Sequence, residues 1–232
     1  MSSSVIDTLQ KFQSELLEQA EGVGALKFGA FTLKSGRISP YFFNAGLMST
    51  GKILNTIANA YAAAIVAALE SPKNPLPPFD VIFGPAYKGI SLAACTALVL
   101  SAKYDRSYGF AYDRKEAKDH GEGGKLVGVP VNGKKVLILD DVMTAGTAVR
   151  LAIESIQAAG GDVVGVVQLL DREEVGKDGE STVDEIEGLL GGKGRVQSVL
   201  KMRDLMRWLA DNGQKERLDA MEEYRNQYGR KE

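Results

Sequence analysis

The sequence predicts an α/β fold, a parallel sheet flanked by helices, and three observations carry that expectation. Strand and helix patterns alternate from Phe79 to Leu170. The strand runs are continuously apolar, as in strands buried on both faces. The chain has 44% hydrophobic and 25% charged residues over 232 positions, an ordinary balance for one folded domain with room for a hood or tail.

Residues 4 to 20 carry Val5, Leu9, Phe12 and Leu16 at helical spacing, and Gly22 and Gly24 close the pattern. Ala25 to Asn44 reads as two short strands around a turn at Ser35-Gly36. Lys52 to Glu70 is a helix rich in Ala and Ile, and Ser71 to Pro78, with four of the seven prolines, is a loop. Then follow a strand at Phe79–Phe83, a helix at Ile90–Lys103 and a strand at Tyr108–Tyr112. Residues 113 to 128 are charged and glycine-containing and read as a loop. A strand at Lys135–Leu139, a helix at Ala145–Ala159 stopped by Gly160-Gly161, and a strand at Val163–Leu170 complete the alternation. Beyond it come a short helix near Val183–Leu190, a strand at Arg195–Leu200, and helices at Met202–Asp211 and Gln214–Tyr228. No internal repeat interrupts a single-domain parse of 1–232.

Composition removes several functions. One His and one Cys exclude an internal disulfide and leave almost no scope for a Cys/His zinc site. Ser-His-Asp or Cys-His chemistry has only His120 to draw on. Cys95, in an apolar helix, is expected to be buried and inert. A net charge of −2 gives no bulk attraction to nucleic acid or an acidic membrane. Residues Met1 to Lys11 lack the plan of a secretory signal and no apolar window is long enough to span a bilayer, so a cytoplasmic protein is expected.

The run Val136-Leu-Ile-Leu-Asp-Asp-Val-Met-Thr-Ala-Gly-Thr-Ala-Val149 carries the chemistry. A buried strand delivers Asp140 and Asp141 at its C-terminal end, where open α/β sheets bind ligands. Small residues from Thr144 to Thr147 then turn into a helix whose start is electropositive and whose N–H groups an anion can approach. The turn suits a phosphate. The two carboxylates repel that phosphate, so they face sugar hydroxyls or Mg²⁺. A strand end with an Asp N-cap would explain an Asp pair alone. It does not explain the whole run, which is neither a Walker loop nor a dinucleotide fingerprint.

This run resembles the phosphoribosyl pyrophosphate signature of the type I phosphoribosyltransferases. Further segments, in chain order, narrow the likeness to the orotate phosphoribosyltransferases. These are Phe31 to Asn44, Gly84-Pro-Ala-Tyr-Lys-Gly89, Asp113 to Gly121 and Leu170-Asp-Arg-Glu-Glu174. The likeness implies a phosphoribosyltransferase-like parallel sheet with a small N-terminal hood over about 1–50, a core over about 51–200 and a helical tail. It implies transfer of a phosphoribosyl group from phosphoribosyl pyrophosphate to orotate with Mg²⁺, as a step of pyrimidine synthesis. The metal would be carried mainly by the substrate pyrophosphate rather than by protein ligands.

Residue by residue, the resemblance assigns the ribose and 5′-phosphate to Asp140, Asp141, Val142, Met143, Thr144, Ala145, Gly146, Thr147 and Ala148. Tyr87 and Lys88 fall in its pyrophosphate loop, and Lys34 is expected at the same site. Arg114, Lys115, Lys118 and His120 fall in a mobile loop that closes over the site of a neighbouring subunit, which implies a homodimer. Lys118 is expected to matter most for rate, with Asp141 the other catalytic residue. Phe42, Phe43, Thr144 and Arg172 are expected at orotate, Arg172 because its planar fork suits a carboxylate. Strand alternation puts the two Phe rings on opposite faces, so one of them is expected in the core. For Arg172 the plainer reading is an ion pair with Glu173 or Glu174. The chemistry is substitution at the anomeric carbon, and no protein nucleophile is required. Two rivals stand beside this: transfer to another base, and a non-catalytic regulator that keeps the sugar-phosphate pocket. A synthase that also decarboxylates the product needs a second barrel domain, for which this length leaves no room.

Overall fold

The computed structural model describes residues 9–33, 35–118, 124–176 and 179–230, without the side chains of Ala117 and Lys118. Helix α1 (Lys11–Gly22) is followed by strands β1 (Leu26–Thr32) and β2 (Ile38–Phe43), which pair antiparallel as a separate two-stranded hood. A short 3₁₀ turn (Ala45–Leu47) leads to α2 (Gly51–Leu69), where the Thr50 hydroxyl accepts from Ile53 N–H. Then come β3 (Val81–Gly84), α3 (Lys88–Tyr104), β4 (Gly109–Lys118), β5 (Gly124–Gly128), β6 (Lys135–Asp140), α4 (Thr147–Ala158) and β7 (Asp162–Asp171). The chain continues with α5 (Thr182–Leu189), β8 (Val196–Lys201), α6 (Met202–Asp211) and α7 (Lys215–Tyr228).

The main sheet has six strands in the order β5-β4-β3-β6-β7-β8. Five run parallel, and β5 is antiparallel to β4 at the edge. This corrects the loop expected over 113 to 128. The charged residues extend β4 and return as β5, so the described part of that segment is a hairpin. Among the described residues the first helix begins at Lys11, and residues 4–8 of the expected helix lie outside them.

Alternation sorts the apolar strands onto two faces. Ile82, Leu137 and Leu139 join one core with residues of α1, α2, α3, α6, α7 and the hood. Val81, Phe83, Val136 and Ile138 join the other, with Val149, Ile153 and Ile156 of α4 and Ile186 of α5. Each fully buried aliphatic side chain of this kind contributes about 1.5–3 kcal/mol. Helix α2 is long and apolar enough to cross a membrane by length and composition, but Ile53, Ile57, Tyr61 and Ile65 pack into the first core. Cys95, expected to be buried, is only half-buried on α3 because it falls beside the inward positions Leu92, Ala93, Thr96 and Leu100.

The strand order reverses between β3 and β6. From β3 the chain moves outward to β4, and from β6 it moves the opposite way to β7. Open α/β sheets bind ligands at the carboxyl ends of the strands at such a switch point.

Candidate active site

At that switch point a cleft of about 270 Å³ opens, lined by Pro85, Ala86, Tyr87, Lys88 and every residue from Asp140 to Ala148. One wall is the turn between β3 and α3. It needs glycine at both ends: a Cβ on Gly84 would lie 2.2 Å from the Gly89 carbonyl oxygen, and one on Gly89 would lie 2.8 Å from the Leu139 carbonyl oxygen. The peptide between Ala86 and Tyr87 is cis. The opposite wall is the turn between β6 and α4. Gly146 closes it at φ +68°, a left-handed conformation that glycine adopts without strain.

Within the second turn, the N–H groups of Thr144, Ala145 and Gly146 have no acceptor among the described residues. Its carbonyls and flanks are nevertheless fixed. Thr182 Oγ1 on α5 donates to the Thr144 carbonyl at 2.9 Å. Met143 N–H donates to Gln168 Oε1 at 3.2 Å, and Leu169 N–H donates to the Asp141 carbonyl at 2.8 Å. A rigid loop with unspent donors at a helix start is a seat for an anion.

The two carboxylates differ. Asp140 Oδ1 accepts the Asp141 N–H at 2.9 Å, and its carbonyl accepts the Tyr61 hydroxyl at 2.7 Å. Burial, and then the neighbouring Asp141 charge, push the Asp140 carboxyl up from 3.8 to about 6. The Asp141 side chain reaches across the cleft, where its Oδ2 lies 2.5 Å from Lys88 Nζ. The raised Asp140 pKa has a stability consequence with a definite sign. The folded state holds the proton more tightly than the unfolded chain, so the penalty is absent below about pH 4 and fully present above about pH 6. Asp140→Asn is therefore expected to be more stable than the native protein by about 1–3 kcal/mol at pH 8, with the difference fading as pH falls toward 4. Urea unfolding at both pH values checks this.

The β4–β5 hairpin touches the first wall twice. Asp113 Oδ1 accepts the Ala86 N–H at 2.6 Å, and Lys115 Nζ sits 4.7 Å over the ring of Tyr87, itself 68% exposed. Arg114 follows Asp113 on the same strand and has a buried Nη1 without a hydrogen-bond partner.

The cleft thus gathers Tyr87, Lys88 and Asp140 to Ala148, with Lys115 resting on Tyr87. Phe42, Phe43 and Arg172 do not line it. As alternation required, Phe43 is core, at 9% exposure, while Phe42 is 42% exposed and packs its ring 5.6 Å from Phe31. Arg172 is paired with Glu174 at 2.7 Å, the plainer of its two sequence readings. Lys34 and His120 lie outside the described residues, as does the Lys118 side chain. Sequence reasoning missed three supporting residues: Asp113, Tyr61 and Gln168. Gln168 had a signal, being the one polar side chain in the run Val163–Leu170, where it is buried and bonded to Met143 and Ser198.

A profile described as a phosphoribosyl transferase domain matches residues 51–189. The orotate phosphoribosyltransferase of Thioalkalivibrio sulfidiphilus is 48% identical, over 95% of this chain and 100% of its own length. That of Acinetobacter baumannii is 47% identical over 92% of this chain and 94% of its own. A crystal structure of the Francisella tularensis orotate phosphoribosyltransferase superposes with a TM-score of 0.80 at 39% identity, covering 93% of this chain and 99% of that one.

Proposed function

The chain belongs to the phosphoribosyltransferase family, among the orotate phosphoribosyltransferases, and from that membership and the cleft we propose its reaction. It transfers the phosphoribosyl group of phosphoribosyl pyrophosphate to orotate, giving orotidine 5′-monophosphate and pyrophosphate in pyrimidine biosynthesis. The observation that carries this reading is one geometry: a strand-end pair, Asp140 and Asp141, beside unspent N–H donors at Thr144 to Gly146, with Lys88 on the facing wall.

In this reading the 5′-phosphate takes the N–H groups and hydroxyls of Thr144 to Thr147. Asp140 and Asp141 accept hydrogen bonds from the ribose hydroxyls. The pyrophosphate lies toward Tyr87 and Lys88, so Lys88 exchanges Asp141 for phosphate oxygens as substrate arrives. The bond from the anomeric carbon to the pyrophosphate oxygen breaks, and a bond to the orotate ring nitrogen forms as that nitrogen loses its proton. Positive charge grows on the ribose and negative charge on the leaving group. Asp141 faces the first, while Lys88, Arg114, Lys115, Lys118 and His120 meet the second.

Among the described residues no group of three His, Cys, Asp or Glu side chains gathers to cage a metal ion. Two adjacent carboxylates do fit Mg²⁺ arriving on the substrate, because that ion keeps waters and uses one or two carboxylates with phosphate oxygens. When bound it supplies positive charge for the departing pyrophosphate. Orotate is assigned to the side bearing Thr144, Arg172 and the exposed hood residue Phe42, with Arg172 at its carboxylate; Phe43, whose ring is in the core, is left only its backbone for this role. We further assign a cytoplasmic homodimer in which the β4–β5 lid serves the neighbouring site.

Incubation with isotope-labelled phosphoribosyl pyrophosphate and a panel of bases tests the assignment. Label is expected on orotate; transfer to hypoxanthine but not orotate refutes it. The Asp113 contact makes a second prediction. Asp113→Ala, which releases Ala86, is expected to raise KM for phosphoribosyl pyrophosphate about 10-fold and to change KM for orotate less than about 2-fold, while Asp113→Asn, still an acceptor, restores it. Steady-state kinetics of the two variants decide.

A further inference from the structure

Outside the cleft, the exit of β7, Asp171 to Val175, carries Arg172 and is tied to the hood and to the end of the chain's last helix. The Arg172 Nε and Nη2 lie 2.8 and 2.7 Å from a single oxygen, Glu174 Oε1. Nη2 also donates to Ser39 Oγ of β2 at 3.0 Å. The guanidinium carbon sits 4.4 Å above the ring of Tyr41, which is fully buried in the hood. Nε and Nη2 are thereby occupied, the Tyr224 hydroxyl lies against the same pair, and 11% of the Arg172 side chain is still exposed.

Glu174 is in turn braced by the C-terminal helix, whose charged sequence gave no hint of a role. Glu174 bridges to Gly229, Val175 N–H donates to the Tyr228 carbonyl at 3.0 Å, and Arg230 N–H donates to the Glu173 carbonyl at 2.7 Å. Arg37 of the hood closes the bracket. Its Nη1 donates to the Val175 carbonyl at 2.7 Å and lies 3.9 Å from Glu174 Oε2, and its guanidinium stacks 4.6 Å over the Tyr228 ring. These ties hold the Glu174 segment between the hood and the exit of α7, and Glu174 in turn holds the Arg172 guanidinium.

We propose that Glu174, braced by α7 and the hood, is the positioning residue for Arg172, holding its guanidinium flat on Tyr41 so that a carboxylate-bearing acceptor meets it from one direction. This rests on the reading that Arg172 binds the acceptor's carboxylate. A planar fork grips a carboxylate only when its orientation is right, and an unbraced Arg would lose rotamer freedom on each binding event.

The test is steady-state kinetics with both substrates on four variants whose thermal melts are recorded. Glu174→Ala is expected to raise KM for orotate about 10-fold or more and to leave KM for phosphoribosyl pyrophosphate within about 2-fold. Glu174→Gln, which keeps the acceptor oxygen, is expected to recover most of that loss. If Glu174→Ala does not fold, Ser39→Ala removes the second tether and is expected to raise orotate KM about 3-fold. Arg172→Ala separates the two ideas. Should it leave orotate KM unchanged, the carboxylate assignment fails and the positioning role falls with it. Should Arg172→Ala raise orotate KM while Glu174→Ala (or Ser39→Ala) does not, or raises both KM values equally, the positioning proposal alone is wrong.

Discussion

Asp141→Asn is expected to lower kcat/KM for phosphoribosyl pyrophosphate by about 10²–10³-fold, with a thermal melt close to that of the native protein. The carboxylate is anchored by its own backbone, whose carbonyl accepts from Leu169 N–H at 2.8 Å, so the amide side chain leaves the turn in place. What changes is charge. In the resting cleft Asp141 neutralises Lys88 at 2.5 Å. In the proposed reaction it faces a ribose that becomes cationic, and a nearby anion is worth more there than in the ground state. The loss is therefore expected in kcat as well as in KM. Asp140→Asn should be the milder change. One of its oxygens is spent on the Asp141 N–H, an acceptor role that the amide oxygen of Asn keeps. An assay in which the two variants lose equal activity would contradict this division of labour.

Lys118→Ala is expected to lower kcat by about 10²–10³-fold while the fold survives. Lys118 ends β4 and pairs with Gly124 across the hairpin. The root of that hairpin is fixed to the turn between β3 and α3 by the Asp113–Ala86 hydrogen bond and by Lys115 over Tyr87. In the proposed reaction a cation farther out on the same strand meets the leaving group as the lid closes, so its worth falls on the chemical step rather than on encounter. Near-normal turnover in this variant removes the lid from the mechanism. The same variant tests the shared site. Mixed in equal amounts with Asp141→Asn and allowed to exchange subunits, it should recover up to about a quarter of native activity if each lid serves its neighbour. Recovery of none would place lid and cleft in the same chain.

The site was more legible in the sequence than its surroundings. The Val136–Leu139 strand, two carboxylates and a small-residue turn form a local pattern, and locality is what sequence displays. Gly84 and Gly89 were visible as a loop, although the reason for them, a turn nested against Leu139, is a tertiary contact. The β4–β5 hairpin was not visible, because Lys, Glu and Gly fill it and an edge strand needs no apolar alternation. The supporting polar contacts were hidden by distance along the chain. Tyr61 reaches the Asp140 carbonyl and Arg172 reaches Ser39 across 79 and 133 positions. Helix α7 buries only Met221 and Tyr224, so its periodicity said little, and its task became visible only where Tyr228 and Gly229 meet the exit of β7.

Crystals soaked with ribose 5-phosphate address the central claim most directly. The phosphate is expected within about 3 Å of the N–H groups of Thr144, Ala145 and Gly146, with the ribose hydroxyls on Asp140 and Asp141. A sugar phosphate bound elsewhere, with this cleft empty at saturating ligand, would contradict it.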